Sequence, residues 1–434
     1  MSMKKIVNAQ FDETWYTHTL DNGLNLIFWH KPDFVSTAVV FATPYGALDY
    51  RQIDKAGNHL DFPSGIAHFL EHKLFESDEG DVMEDFSRMG ANVNAFTSYN
   101  ETCYYFTTSH GDLKEPLNLL IDFVQDLRIT DESVEKEKGI INQELKMYLQ
   151  MPDSRLFFET FKALYHKHPL NRDIGGDEQS VNATTRQQLQ DCYELNYHPS
   201  HMTLIVAGPQ NPETLLEWIE ENQKPKSFAE AKDVGRYLEE EPEAVVSSHT
   251  VIPMDVAVRK VSVAYKFAPL TTSAKERVRR EWAIRCLLES HFSSLNPDYQ
   301  KWLDNEVIND YFGYEIDLGK DYAMMMFYNE TEDPTAFTQF VEEQLNALKT
   351  RAMDYQQLQL LKRRYFGEAM RTFNNMEDIA VAMIRNQFNG VSFFDTLEII
   401  DQLDQKQVQD AFESLSFEQR SVVEISPDEG QPQA

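Results

Sequence analysis

His68, Glu71 and His72 stand at i, i+3 and i+4 in the stretch Gly65-Ile66-Ala67-His68-Phe69-Leu70-Glu71-His72-Lys73-Leu74-Phe75-Glu76. On a helix these positions share a face. Two imidazoles and a carboxylate then point the same way, while Phe69, Leu70 and Leu74 are free to pack elsewhere. Two histidines one turn apart can clamp a single zinc ion, and a carboxylate beside them can act as a general base. The order, His-x-x-Glu-His, inverts the zinc-protease signature His-Glu-x-x-His. A helical histidine pair is more often solvated or packed than metal-binding, so a third ligand must be found. Glu137-Lys138-Gly139-Ile140-Ile141-Asn142-Gln143-Glu144 offers a candidate. Its two glutamates are two helical turns apart and lie on nearly one face, with Ile140, Ile141 and Leu145 giving the helix a buried side. The chain between His72 and Glu144 is long enough for this second helix to return against the first.

The two segments together resemble the pitrilysin family of inverted zinc peptidases, which includes mitochondrial processing peptidase and insulin-degrading enzyme. The likeness extends in order over most of residues 15–210. It takes in Leu20-Asp21-Asn22-Gly23-Leu24, Gly90-Ala91-Asn92-Val93-Asn94-Ala95-Phe96-Thr97-Ser98, and Tyr197-His198-Pro199 before Leu204-Ile205-Val206-Ala207-Gly208. The wording around the two motifs is similar to the half-length, YmfH-type branch of Gram-positive bacteria. The resemblance implies zinc held by His68, His72 and Glu144, with Glu71 as general base and Glu137 as support behind the ligands. It also implies an edge strand, Asn94, Ala95, Phe96 and Thr97, to which a peptide substrate adds as an extra strand. The expected activity is that of a zinc-dependent endopeptidase.

The chain has 434 residues, 42% hydrophobic and 12% aromatic, enough for packed cores and for two to three domains. Its net charge of −31 argues against nucleic acid, whose phosphates would be repelled. Cys103, Cys192 and Cys286 are sparse and form no C-x-x-C, so no disulfide framework is expected and a reducing cytoplasm suits them. The first ten residues carry two lysines without an apolar stretch, which does not read as a signal peptide. No apolar run reaches transmembrane length.

Asp21-Asn22-Gly23 is a hairpin signal between two strands, and Val35–Thr43 is a further β-branched run. Arg51–Pro63 reads as a polar loop, with Ser64 as a cap for the motif helix. Asp81–Met89 reads as a helix, Asn94–Ser98 with Cys103–Thr108 as a hairpin, and Leu113–Leu127 as a helix. Helices follow at Ser154–His166 and Thr184–Asn196, with a closing strand at Met202–Gly208. His166 and His168, beside Pro169, read as loop residues, and His198 and His201, around Pro199, as packing or loop residues. Glu220–Pro242 is charged and weakly apolar, as a linker is. The pattern then restarts with a strand at Val258–Phe267, helices at Ser273–Ser290 and Asn296–Glu306, and a strand at Tyr322–Tyr328. Helices at Thr335–Met353 and Tyr355–Phe373 and a strand at Val422–Ile425 complete it.

This order predicts an α+β protein of two homologous domains, each a mixed, largely antiparallel sheet packed with helices. The domains fall at 1–220 and 243–425, joined by a linker at 221–242 and followed by a disordered tail at 426–434. The second copy has no His-x-x-Glu-His. Active relatives often draw an Arg and a Tyr from a silent half, on a segment resembling Leu-Arg-x5-Gly-x-Tyr. The matching place here, Trp302–Tyr311, has no Arg. The expectation is therefore a dimer, with a motif-less sister subunit as the partner that completes the site. The competing reading is a metal-retaining, weakly catalytic assembly subunit of a heterodimer. The intact Glu71 favours the enzyme, because a scaffold needs no base beside its ligands.

Overall fold

The computed structural model describes residues 3–77, 80–109 and 111–428. Two compact units divide the chain, and neither is a contiguous stretch. One comprises Met1–Leu145, Asp173–Tyr237 and Met370–Phe388, and the other Lys146–Arg172, Leu238–Ala369 and Asn389–Ala434.

The first unit is built on a seven-stranded sheet. Its order is Lys4–Asn8, Glu13–Thr19, Asn25–His30, Thr203–Gly208, Thr37–Thr43, Thr102–Thr108 and Ala91–Thr97. Only Asn25–His30 and Thr203–Gly208 run parallel; the other neighbours are antiparallel. Every residue of Thr37–Thr43 is buried. Strand side chains alternate between faces, so burial of the whole run requires cover on both. Val39 and Phe41 join a core with Leu117, Leu120 and Ile121 of the helix Lys114–Val124. On this strand and on Thr203–Gly208 also packs the helix Met376–Phe388, which comes from the far end of the chain. Each large apolar side chain buried this way contributes roughly 1.5–3 kcal/mol.

The second unit repeats the arrangement. Its five strands run His249–Met254, Arg420–Pro427, Lys260–Phe267, Ala323–Glu330 and Gly313–Asp317, again with one parallel pair, His249–Met254 with Arg420–Pro427. This is the order of the last five strands of the first sheet. The two edge strands, Ala91–Thr97 and Gly313–Asp317, begin 222 positions apart (313 − 91). Here the helix Pro152–Leu164, from the first half of the sequence, packs on Lys260–Phe267 and Arg420–Pro427. The two-copy α+β architecture is as expected.

Several local expectations change. Ser64 does not cap the motif helix: Gly65 stands at the N-cap in the left-handed region, with no side-chain cap. The loop Arg51–Pro63 contains strands Arg51–Asp54 and His59–Asp61, which form a small sheet with Val234–Arg236. That third strand lies in the run read as a linker. Asn296–Glu306 is helical only over Tyr299–Asp304. Ser426 and Pro427 close the final strand, and the rest of the expected disordered tail, from 429 on, lies outside the described residues. Cys103, Cys192 and Cys286 are free and buried.

Candidate metal centre

The motif helix, Ile66–Leu74, buries Ile66, Ala67, Phe69, Leu70 and Leu74, which leaves His68, Glu71 and His72 on its remaining face, half-buried. Its start is fixed by contact between two backbones. Gly65 (φ 84°) and Gly176 (φ 81°) both lie in the left-handed region that favours glycine. A Cβ on Gly65 would stand 2.2 Å from the Gly175 carbonyl oxygen, and one on Gly176 would stand 2.4 Å from that of Ser64. The loop Asp173–Gly176 can therefore lie directly against the helix N-terminus. The second helix, Asp131–Gln150, buries Val134, Ile141 and Leu145 and turns Glu137 and Glu144 toward the histidines.

His72 Nε2 is 3.3 Å from Glu144 Oε2, and His68 Nε2 is 3.8 Å from Glu144 Oε1. The donor atoms of the three residues all lie within 4.8 Å of one another. Ligands held about 2.0–2.1 Å from one tetrahedral ion stand about 3.4 Å apart, so a small inward movement closes the set. Two imidazole nitrogens and a carboxylate oxygen suit zinc and leave one corner of the tetrahedron open. Among the described residues no other group of three such side chains converges in this way.

The surroundings separate the five ionisable groups. Burial, helped by the neighbouring His72, pushes His68 well below its ordinary value. Burial acts downward on His72 as well, but hydrogen bonds to Glu137 and Glu144 outweigh it and raise His72 to about 9. The His72 bond holds Glu144 below the usual carboxylate range. For Glu137, burial acts upward and is outweighed by His72 and Lys73, so its value falls. Glu71 goes the other way. Burial raises it, although Thr97 hydrogen bonds and the charge of His72 pull it down.

Behind the histidines, His72 Nδ1 meets Glu137 Oε1 at 3.1 Å, and Glu137 Oε2 lies 3.6 Å from Lys73 Nζ. The Lys73 side chain is 1% exposed and also reaches Glu76 and the Ser133 carbonyl. The sequence points to Glu137 but not to Lys73, whose only signal is a cation on the buried side of an apolar helix. Nor does it point to Gly175 beside His68: a Cβ on Gly175 would stand 3.4 Å from His68 Nδ1.

Asn94, Ala95, Phe96 and Thr97 lie on Ala91–Thr97, the last strand of the first sheet, which pairs with Thr102–Thr108 on one side. Thr97 Oγ1 donates to Glu71 Oε2 at 2.5 Å. The Arg385 guanidinium sits 5.2 Å from the centre of the Phe96 ring and donates to Glu101 at 2.9 Å. His168 and His198 each accept a backbone N–H two residues ahead.

Residues 55–178 match the insulinase (peptidase family M16) model, and residues 183–365 match the model of the M16 inactive domain. The chain belongs to peptidase family M16, as a zinc metalloendopeptidase of pitrilysin type. It is 34% identical, over 98% of its own length and 99% of the relative's, to YmfH of Bacillus subtilis (strain 168), described as an uncharacterized zinc protease. It resembles the crystal structure of an M16-like peptidase from Alicyclobacillus acidocaldarius with a TM-score of 0.90 and 29% identity, over 99% of each chain. Pitrilysin shares the fold at a TM-score of 0.72 and 17% identity, with all of this chain spanning 47% of pitrilysin. Among the described residues no helix is long and apolar enough to cross a membrane.

Proposed function

We propose that the protein hydrolyses internal peptide bonds of extended substrates, with His68, His72 and Glu144 as zinc ligands and Glu71 as general base. Zinc in this site would supply Lewis acidity and a water acidic enough to ionise near neutral pH. Glu71 accepts the proton of the attacking water and later returns it to the leaving amine. Its burial-raised affinity for a proton suits both steps. Glu137 holds His72 through Nδ1 so that Nε2 faces the ion, a role that partners behind ligands commonly fill. The substrate backbone pairs with the open side of Ala91–Thr97, which sets its scissile carbonyl beside the motif helix.

The observation that carries this reading is the convergence of three zinc-type donors with Glu71 on the same helix face and outside the ligand set. The test is Glu71→Gln assayed for zinc content and for cleavage of a mixed peptide library. Full zinc with no cleavage is expected; a variant that still cuts would remove Glu71 from the role of base.

The companion proposal is a dimer with a motif-less sister chain. Tyr311, which falls near the expected place of an assisting tyrosine, has its hydroxyl committed to Asp153 Oδ1 at 2.7 Å and Lys260 over its ring. Trp302–Tyr311 contains no arginine. On this reading the purified chain is slow and the sister chain restores its rate. Full turnover by the chain alone would instead favour self-sufficiency. If metal binds yet no cleavage appears with either preparation, the assembly-subunit alternative gains.

A further inference from the structure

The outer edge of Ala91–Thr97 is not uniformly open. Ser98 donates its N–H to the Glu101 carbonyl, toward the paired strand. Backbone groups alternate in direction along an antiparallel strand. The amides of Thr97, Ala95 and Val93 therefore face away from Thr102–Thr108. At Thr97 the hydroxyl is given to the Glu71 carboxylate. At Ala95 the outward amide meets the side-chain oxygen of its own neighbour, Asn94, at 2.9 Å. Asn94 is exposed and can rotate away from this bond.

From this we infer that Thr97 is the positioning residue of the general base: its hydroxyl fixes the Glu71 carboxylate against that end of the strand. An incoming peptide then pairs at Ala95 and Val93, after its own carbonyl replaces the Asn94 oxygen on the Ala95 amide. The strand that receives the substrate is thus the strand that aims the base. This inference rests on the assignment of Glu71 made above.

The test uses the zinc-loaded full chain and a fluorogenic peptide mixture. Thr97→Val keeps shape and amide but removes the hydroxyl, whereas Thr97→Ser keeps the hydroxyl. A hydrogen bond to a charged group is lost in the first, so kcat should fall by about ten- to a hundredfold with KM and zinc content unchanged. Thr97→Ser should stay near wild type. Unchanged kcat in Thr97→Val, a change confined to KM, or equal loss in both variants would overturn the inference. A second measurement does not need turnover. In metal-free protein, the melting shifts of Thr97→Val and Glu71→Gln should be non-additive in the double variant; additive shifts would also overturn it. Cleavage by Glu71→Gln would defeat the assignment of the base instead, and the melting cycle would still report whether the two side chains are coupled.

Discussion

The support behind His72 makes a graded prediction about zinc affinity. Glu137→Gln leaves the three proposed ligands untouched but replaces the carboxylate that meets His72 Nδ1 at 3.1 Å. Loss of a hydrogen-bonding partner behind a ligand typically costs about ten- to a hundredfold in metal affinity, equivalent to about 1.4–2.7 kcal/mol. That range overlaps the roughly 1.5–3 kcal/mol of a hydrogen bond to a charged group, so the whole effect is accounted for by this one contact. Lys73→Met acts one step further back, through the 3.6 Å approach of Lys73 Nζ to Glu137 Oε2. It should weaken binding by less than Glu137→Gln, because Glu137 keeps its bond to His72. Glu144→Gln removes a proposed ligand, and dialysed protein should retain no zinc. The assay is competition with a chromogenic chelator at one fixed pH, since metal binding displaces protons from the ligands. The expected order of loss is Glu144→Gln, then Glu137→Gln, then Lys73→Met. Wild-type affinity in Glu137→Gln, or a loss as complete as that of Glu144→Gln, would refute the division between ligand and support.

Two further outcomes follow from the strands and from the second unit. Ala95→Pro removes an outward amide without touching the ladder to Thr102–Thr108, a position where an edge strand tolerates proline. Peptide cleavage should be lost while zinc content and melting temperature hold, and undiminished cleavage would count against strand addition. In the second unit, Glu241 accepts from the amides of His166, Lys167 and His168 at 2.9, 2.7 and 2.8 Å and from Lys266 Nζ at 2.6 Å. Burial acts to raise its pKa, but Lys266 and the three amides prevail and lower it. A depressed carboxylate contributes stability that is present above its unfolded value, about pH 4.3, and is lost as pH falls through the folded value. Glu241→Gln should cost about 2–3 kcal/mol at neutral pH by leaving the buried Lys266 ammonium without its counter-charge. It should also flatten the acid limb of an unfolding-versus-pH curve; an unchanged acid limb would exclude Glu241 as its source.

What could be read from the sequence was what local spacing controls. His68, Glu71 and His72 fall on one face because of helical period alone, and Glu137 and Glu144 do so on theirs. The hairpin at Asp21-Asn22-Gly23 and the closing strand near Leu204 carry their own signals in turn chemistry and β-branched runs. The misses depend on contacts made by residues distant in the chain. Gly65 looked like an ordinary residue after a capping serine until Gly175 and Gly176 came against it. Thr97 looked like a strand residue, and only the approach of Glu71 turns its hydroxyl into a clamp. The linker reading at Glu220–Pro242 failed to foresee Val234–Arg236 because a three-residue strand has no period of its own and exists by pairing with Arg51–Asp54. The burial of the whole of Thr37–Thr43 likewise needs Met376–Phe388, more than three hundred residues further on.

The repeated architecture also shows why one sheet order does not bring one chemistry with it. In the second unit the place of the motif helix, between the second sheet strand and the edge strand, is taken by Ala274–His291. This helix ends in a histidine, and by residue type alone it could be mistaken for a surviving ligand. His291 Nε2, however, faces Gln344 Oε1 at 3.0 Å, and Nδ1 faces Arg351 Nη1 at 3.0 Å. Both ring nitrogens are engaged, and one of them by a guanidinium whose charge opposes any cation. Burial, and then that charge, hold the ring below its ordinary pKa, so it stays neutral as a packing group within the apolar cluster of Phe292 and Trp302. At the opposite site His72 is flanked by two carboxylates, and there the same residue type is presented to a cation. Among the described residues no second and third donor converge on His291, and this, together with the positive charge beside its ring, sets the second copy apart from the first. Replacing Arg351 alone would therefore leave His291 without a second or third donor, and zinc content should remain that of one site per chain.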